Sequence, residues 1–519
     1  MIAQFPQPFN SLGDRLARLF RSAPARSSRD PTPVPRDRAR PLPLAHPELP
    51  LPAFVAACPV ARKYRALLGD LDWGHFPERA SNRPWPGKPP TPRACFVAAY
   101  LVKLHEAKPS MPALRRFLVE HPALVYLLGF PLTADASAPG GFDVEASVPT
   151  RRQFNRVLRE LPNDALQFLL TSSVHFICDA LPPDLRASFG EVVAGDTKAI
   201  LAWVKENNPK VFIEEGRLDK GRQPQGDRDC KLGVKRRHNR SPEPDAADDA
   251  PPTPTTEATP TCTLQVGVDI LWGYATGVVV TKVGEWGEVV LAERTRPFNE
   301  SDISYFFPLM EATERRLGKR PKYGAWDTAY DAFYVYEYFH QAGGFAAVPF
   351  GEGNRRPHRQ FSPEGLPLCA AGLPMPLKFT YQHRTSLYPH QRGKYVCPLL
   401  HPEPTGAACP IGDAHFANGG CTTTLATSIG ARIRCQLDRE SAAYKLIFNQ
   451  RTATERINAQ AKEVGIERPK LRNQRSITNQ NTLTYVLLNL RCLQRVHERR
   501  RAAAADQPAP PERVIGLAA

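Results

Sequence analysis

The chain has no long hydrophobic run. Its longest apolar stretches, such as Gly277 to Val280 and Tyr485 to Leu488, fall far short of the roughly 20 residues that a membrane-spanning helix needs. No membrane partner is therefore expected. The N-terminus lacks an apolar segment followed by a small-residue cleavage site, which argues against secretion. Cysteine is sparse and odd in number, 11 in 519 residues, and forms no close Cys-x2-Cys pair. That excludes a fully paired disulfide framework and fits a reducing, cytoplasmic compartment.

What the chain does have is positive charge. Sixty-eight Lys and Arg against 52 Asp and Glu leave a net charge of +16, which favours an anionic partner such as nucleic acid. The 42% of apolar residues suffices for a packed core, and the length allows about three or four domain-sized units.

Composition divides the chain. Residues 1–50 read as a disordered, basic, Pro-rich tail. Residues 51–189 read as helical, with apolar residues at helical spacing in Thr91–Leu104, Met111–Leu118 and Thr150–Leu161, and a further helix from Asn163. Arginines 151, 152, 156 and 159 give this part a basic face suited to binding DNA ends. From Gly190 strands appear. Glu191–Asp196 is followed by a polar, basic stretch from Lys205 and a Pro/Thr/Asp-rich loop, Ser241–Pro260. Leu264–Ile270 and Tyr274–Val283 read as two strands meeting at a turn near Trp272-Gly273, and Glu288–Arg294 as a third. Helix Asp302–Leu317 with Ser301 as N-cap, strand Tyr323–Asp327, helix Ala332–Gln341 and strand Phe345–Phe350 follow. The fold class is α/β, a mixed sheet flanked by helices across 190–350 and 436–495. A Gly/Pro/Cys/His-rich subdomain at 351–435 interrupts it, and 496–519 read as a basic tail.

Asp196 and Asp327 each end a predicted strand, where ligands of open sheets bind. Two carboxylates brought together there repel unless a cation lies between them, and oxygen donors suit Mg2+ or Mn2+. The predicted helix Asp438–Val464 carries Phe448-x2-Arg451-x3-Glu455-x6-Lys462, a spacing that sets these residues on one face. On that face Glu455 can complete a metal site while Arg451 and Lys462 hold phosphates.

This arrangement resembles the bacterial insertion-sequence DDE transposases, which have a ribonuclease H-like core. It is closest to the branch whose last acid lies in a tyrosine-arginine-glutamate-lysine signature with spacings of two, three and six. Gly195-Asp196-Thr197 matches the first-acid context, and Asp327-Thr328-Ala329-Tyr330-Asp331 the second. The resemblance spans roughly residues 190 to 495 and implies Asp196, Asp327 and Glu455 as catalytic ligands of two metal ions. It implies metal-dependent cleavage at element ends, strand transfer into target DNA, inverted-repeat and target DNA as partners, and a homodimeric synaptic complex. The family tyrosine is Phe448 here, which lacks a hydroxyl; Tyr444 lies one turn earlier. Asp331 and Asp269 are further acids near the second position. Arg468, Lys470 and Arg472, just beyond the signature helix, are the favoured additional DNA contacts; Lys231–Arg240, Arg355–Arg359 and Arg495–Arg501 are other basic clusters. Alternative readings are a ribonuclease H-like nuclease without strand transfer, or a transposase-derived DNA-binding protein.

Cys369, Cys397, Cys409 and Cys421 fall in the inserted subdomain, 28, 12 and 12 residues apart, with His383, His390, His401 and His415 nearby. These are candidate ligands for a structural zinc ion, although the spacing is looser than usual zinc motifs.

Overall fold

The computed structural model describes residues 42–79, 90–138, 140–208, 217–236, 268–351 and 359–505. The Ser241–Pro260 loop, most of the N-terminal tail and residues 506–519 lie outside these, as do parts of the basic clusters at 237–240 and 355–358. Among the described residues no helix is long and apolar enough to cross a membrane.

The fold is mixed α/β. Its centre is a six-stranded sheet built from β1 (Val192–Leu201), β2 (Lys231–Arg236), β3 (Val268–Lys282), β4 (Glu288–Pro297), β5 (Tyr323–Ala325) and β6 (Phe345–Ala347). β3 pairs antiparallel with β1, from Ala194↔Val280 to Leu201↔Gly273. It also pairs antiparallel with β4 along residues 274–282 and with β2 along 268–273. β5 joins β1 in parallel, and β6 joins β5 in parallel.

Three expectations change here. Trp272-Gly273 is not a turn: β3 is one 15-residue strand, and Gly273 marks where its partner changes from β2 to β4. Gly273 passes so close to β1 that a Cβ would fall 2.2 Å from the Ile200 carbonyl oxygen. A strand, β2, occupies part of the stretch read as polar and basic. β1 continues five residues past Asp196, because its pairing with β3 runs on after its pairing with β5 stops at Ala194↔Ala325.

The helices of the N-terminal part include α1 (Arg93–His105), α2 (Arg151–Glu160) and α3 (Asn163–Ala180), close to their expected bounds. The chain joins the core earlier than expected, for Leu42 and Leu44 are buried. Helices α4 (Phe306–Leu317) and α5 (Phe333–Gln341) connect the later strands. A one-turn 3-10 helix, Asp302–Tyr305, precedes α4, and Ser301 is its N-cap without a side-chain bond. In the insertion, β7 (Leu377–His383), β8 (His390–Val396) and β9 (Thr422–Ala426) form an antiparallel sheet with β8 central. Then come α6 (Ile429–Gln436), α7 (Ala442–Phe448), α8 (Thr452–Glu463) and α9 (Gln474–Ala505). Residues 496–505, read as tail, continue α9, and Val496 is fully buried.

α9 is buried on nearly every side between Leu483 and Leu490, as a helix apolar all round its axis must be. It packs on α1, α2 and α3 on one side and on β4 on the other. Its polar residues are spent on backbone groups that the packing would otherwise strand. Asn489 donates to the Val290 carbonyl and accepts from the Val290 N–H, both at 2.9 Å, where β4 slips its register. Asn479 donates to the Leu158 and Leu161 carbonyls at the end of α2. Buried Glu293 accepts from Thr482 and Gln167, and Arg316 of α4 binds Gln167, Thr171 and the Leu291 carbonyl. This network ties sheet, α3, α4 and α9 together.

Lys103 of α1 is buried and donates to the neutral amide of Gln480 at 3.2 Å. Burial pulls its ammonium down to about 8. Lys103→Met should therefore stabilise the protein by about 1–2 kcal/mol at pH 7. As pH rises from 8 towards 10.5, the folded chain has already lost a proton that the unfolded chain still holds. Wild-type stability then rises with pH and the advantage shrinks. Urea unfolding of both chains at pH 7 and at about pH 10 checks this; an advantage equal at both pH values contradicts it.

Candidate active site

Asp196 and Asp327 are brought together by strand register. β1 and β5 run parallel with Ala194 opposite Ala325, and each acid lies two residues further on. The residues just before them lock this placement. Trp326 is fully buried with its ring against Gly195, where a Cβ would lie 1.9 Å from a ring carbon. Asp327 caps a 3-10 turn, Thr328–Tyr330, accepting from the Ala329 N–H at 3.0 Å. Asp196 accepts from the Thr197 N–H at 2.8 Å. Asp327 is half-buried, and its carboxyl is pushed up to about 6. Burial is the main cause, followed by the negative charges of Asp196 and Asp302, while Arg451 works in the opposite direction.

The signature segment is not one uninterrupted helix. Between α7 and α8 the backbone tightens into a 3-10 turn, Asn449–Arg451. Thr452 and Thr454 donate their hydroxyls to the carbonyls of Asn449 and Arg451, three residues back, and so compete with the α-helical ladder. The side chains still form a continuous row. Tyr444 stacks on Phe448 at 5.8 Å, Arg451 lies 5.9 Å from the Phe448 ring centre, and Arg451 donates to Glu455 at 2.7 Å. Tyr444 is buried, with Arg439 close to its phenol. Lys462 is exposed and lies 3.8 Å from Glu467, which also holds Lys198 of β1 at 2.7 Å.

The link from this row to the strand ends is Asn458, which sequence reasoning missed. It lies three residues after Glu455 and donates from Nδ2 to Asp196 Oδ2 at 2.9 Å. The spacing 451, 455, 458, 462 is a helical stripe, and that pattern could have singled it out. Asp302, on the turn before α4, is the other omission; it reads locally as a helix-start residue. Of the spare acids, Asp331 is engaged by Arg434, the Tyr336 hydroxyl and the Gly351 N–H, holding α6 against the sheet domain. The backbone of Asp269 lies in β3, opposite Lys235 of β2.

Arg468 and Lys470 are exposed on the loop from α8 to α9, which bonds the far end of β1 through Leu201 N–H to the Glu467 carbonyl. Arg472 lies 5.0 Å over the ring of Trp203, which is half exposed.

The donor set suits a hard divalent cation. It is all oxygen, its carboxylates repel one another, and Asn458 Oδ1 is buried beside Asp196 with no hydrogen-bond partner. Glu455 is turned towards Arg451. Among the described residues no three His, Cys, Asp or Glu side chains are set around one point at metal-ligand spacing.

No protein-family model matches the chain, and no curated protein matches it.

Asp327 titrates above its ordinary 3.8, so between about pH 4 and pH 6 the folded chain holds a proton that the unfolded chain has released. Stability falls as pH rises through that window. With EDTA present, Asp327→Asn should stabilise the chain by about 1–2 kcal/mol at pH 7.5 and by nearly nothing at pH 4. Urea unfolding at the two pH values reads this out. Destabilisation at pH 7.5 contradicts it.

Proposed function

We propose that this chain is a DDE-type DNA transposase with a ribonuclease H-like catalytic core. The observation that carries the reading is Asp196 and Asp327 side by side at the end of their parallel pairing, with the helix of Arg451 and Glu455 tied to Asp196 by Asn458. The sheet supports it too: an antiparallel group, β1 with β3 and β4, is extended by parallel β5 and β6. The insertion precedes the helix of the last acid, as that reading requires.

In this reading Asp196, Asp327 and Glu455 hold two Mg2+ or Mn2+ ions. Such ions would lower the pKa of water and offset charge developing on the scissile phosphate. Asn458 keeps the Asp196 carboxylate oriented. Arg451, released from Glu455, and Lys462 grip the phosphates of the cut strand. Phe448 offers a ring face but no hydroxyl, so the phosphate grip falls to the cations. Arg468, Lys470 and Arg472 extend that basic surface along the DNA. Water attacks phosphorus, the P–O3′ bond breaks, and a 3′-hydroxyl is left. That hydroxyl then attacks a phosphodiester of target DNA and displaces its 3′ oxygen. No side chain forms a covalent bond to DNA.

The test uses DNA carrying the inverted repeats expected to flank the reading frame. Asp196→Ala, Asp327→Ala and Glu455→Ala should each lower cleavage by about 10³-fold or more, while end binding in a gel-shift assay stays intact. Full cleavage by any one variant removes that acid from the site. Cleavage by wild type without joined products would favour the nuclease reading.

A further inference from the structure

The insertion is a subdomain without an apolar core of its own. Among the described residues, none of the three hydrophobic clusters contains a residue from 359 to 428. Its buried apolar side chains are few: Met375, Tyr388, Val396 and Cys397. Of these, Tyr388 packs outward, against Phe307 and Tyr334. Three short strands and long loops cannot be held by so little burial, and small modules of this kind are held by metals or disulfides.

The cysteines gather where such a staple would work. Val396 of β8 pairs with Thr422 of β9, so Cys397 and Cys421 occupy the next facing positions, at the two ends of the connecting loop. Gly420, with φ at +78°, passes so close that a Cβ would lie 3.1 Å from Cys397 Sγ. Cys369, Cys397 and Cys409 each open a tight turn, their carbonyls accepting from the N–H groups of Gly372, Leu400 and Gly412. Turns of this kind point backbone N–H groups towards an anion such as a thiolate. The Gly420 N–H bonds the His415 carbonyl, which ties the turn 409–415 to the same place. Cys397, Cys369 and Asp413 all lie close enough to the Cys421 thiol to act on it electrostatically.

We infer that Cys369, Cys397 and Cys421, with a fourth donor from the turn 409–415, form a structural zinc site that staples the insertion. Zinc takes four such donors tetrahedrally, and each thiol gives up its proton on binding. A disulfide would use two of these thiols and leave the others idle; all described cysteines are free thiols. The thiols are not closed around one point in this structure, so ligation and the final packing of the 397–421 loop occur together. This inference is independent of the proposed activity.

The full chain, purified without a His tag in the presence of a thiol reductant, should carry about one zinc ion, measured by mass spectrometry and by release with a mercurial. Cys397→Ser and Cys421→Ser should each reduce bound zinc about tenfold or more, whereas Cys58→Ser leaves it unchanged. Should the serine variants misfold, wild type stripped by a chelator still decides. Proteolysis between residues 397 and 421 should quicken on stripping and slow again with zinc but not with magnesium. Less than about a tenth of an ion per chain, zinc retained by both variants, or a Cys397–Cys421 disulfide in alkylated protein would overturn the site.

Discussion

The Trp326 ring packed against Gly195 is the contact on which the candidate site depends. No side chain other than hydrogen fits at 195, because the ring occupies the space a Cβ would take. Trp326 is itself fixed by ring contacts with Phe306 and Tyr330 and by its backbone N–H, which donates to the Ala347 carbonyl of β6. Strands β1, β5 and β6 are thereby held in one register, and the next residues, Asp196 and Asp327, must lie side by side. Packing forces together two charges that would otherwise separate. The Asp327 carboxyl is raised chiefly by its burial there, and further by the charges of Asp196 and Asp302. A site that strains its own acids in this way gains most when a cation arrives.

The second layer of support is α9. A helix buried on all sides can hold distant elements in place only if their stranded backbone groups are answered. Asn479 does this for the end of α2 and Asn489 for β4, and Glu293, Gln167 and Arg316 complete a buried network between sheet and helices. The signature helix α8 contacts both α9 and the sheet, which sets the direction from which Asn458 reaches Asp196. The N-terminal helices share the core with α9.

Much of this was legible in the sequence. Amphipathic spacing located α1, α2 and α3, and short apolar runs ending in Asp located β1 and β5. What escaped depends on partners distant in sequence. Trp272-Gly273 resembles a turn locally, yet tertiary pairing, with β2 across both residues and with β1 from Gly273 on, carries the strand straight through it. β2 is polar in sequence and becomes a strand by pairing with β3. The break at Asn449–Arg451 comes from two threonine hydroxyls that propensity alone does not flag. Asn458 carries no charge and so drew no attention beside Glu455 and Lys462, although it is the residue that touches Asp196. Asp302 joins the acids only because its turn packs on the turn after Asp327.

In the proposed transposase, Asp196, Asp327 and Glu455 would converge on the same metal ions, although Glu455 here faces Arg451. Iron(II) placed in the site generates hydroxyl radicals that cut the polypeptide next to its ligands. Incubating the chain with iron(II), ascorbate and DNA, then mapping the cuts, tests that convergence directly. Backbone cuts are expected near residues 196, 327 and 455 together, all suppressed by excess magnesium. Cuts near 196 and 327 with none near 455, or cuts that magnesium does not suppress, would contradict it.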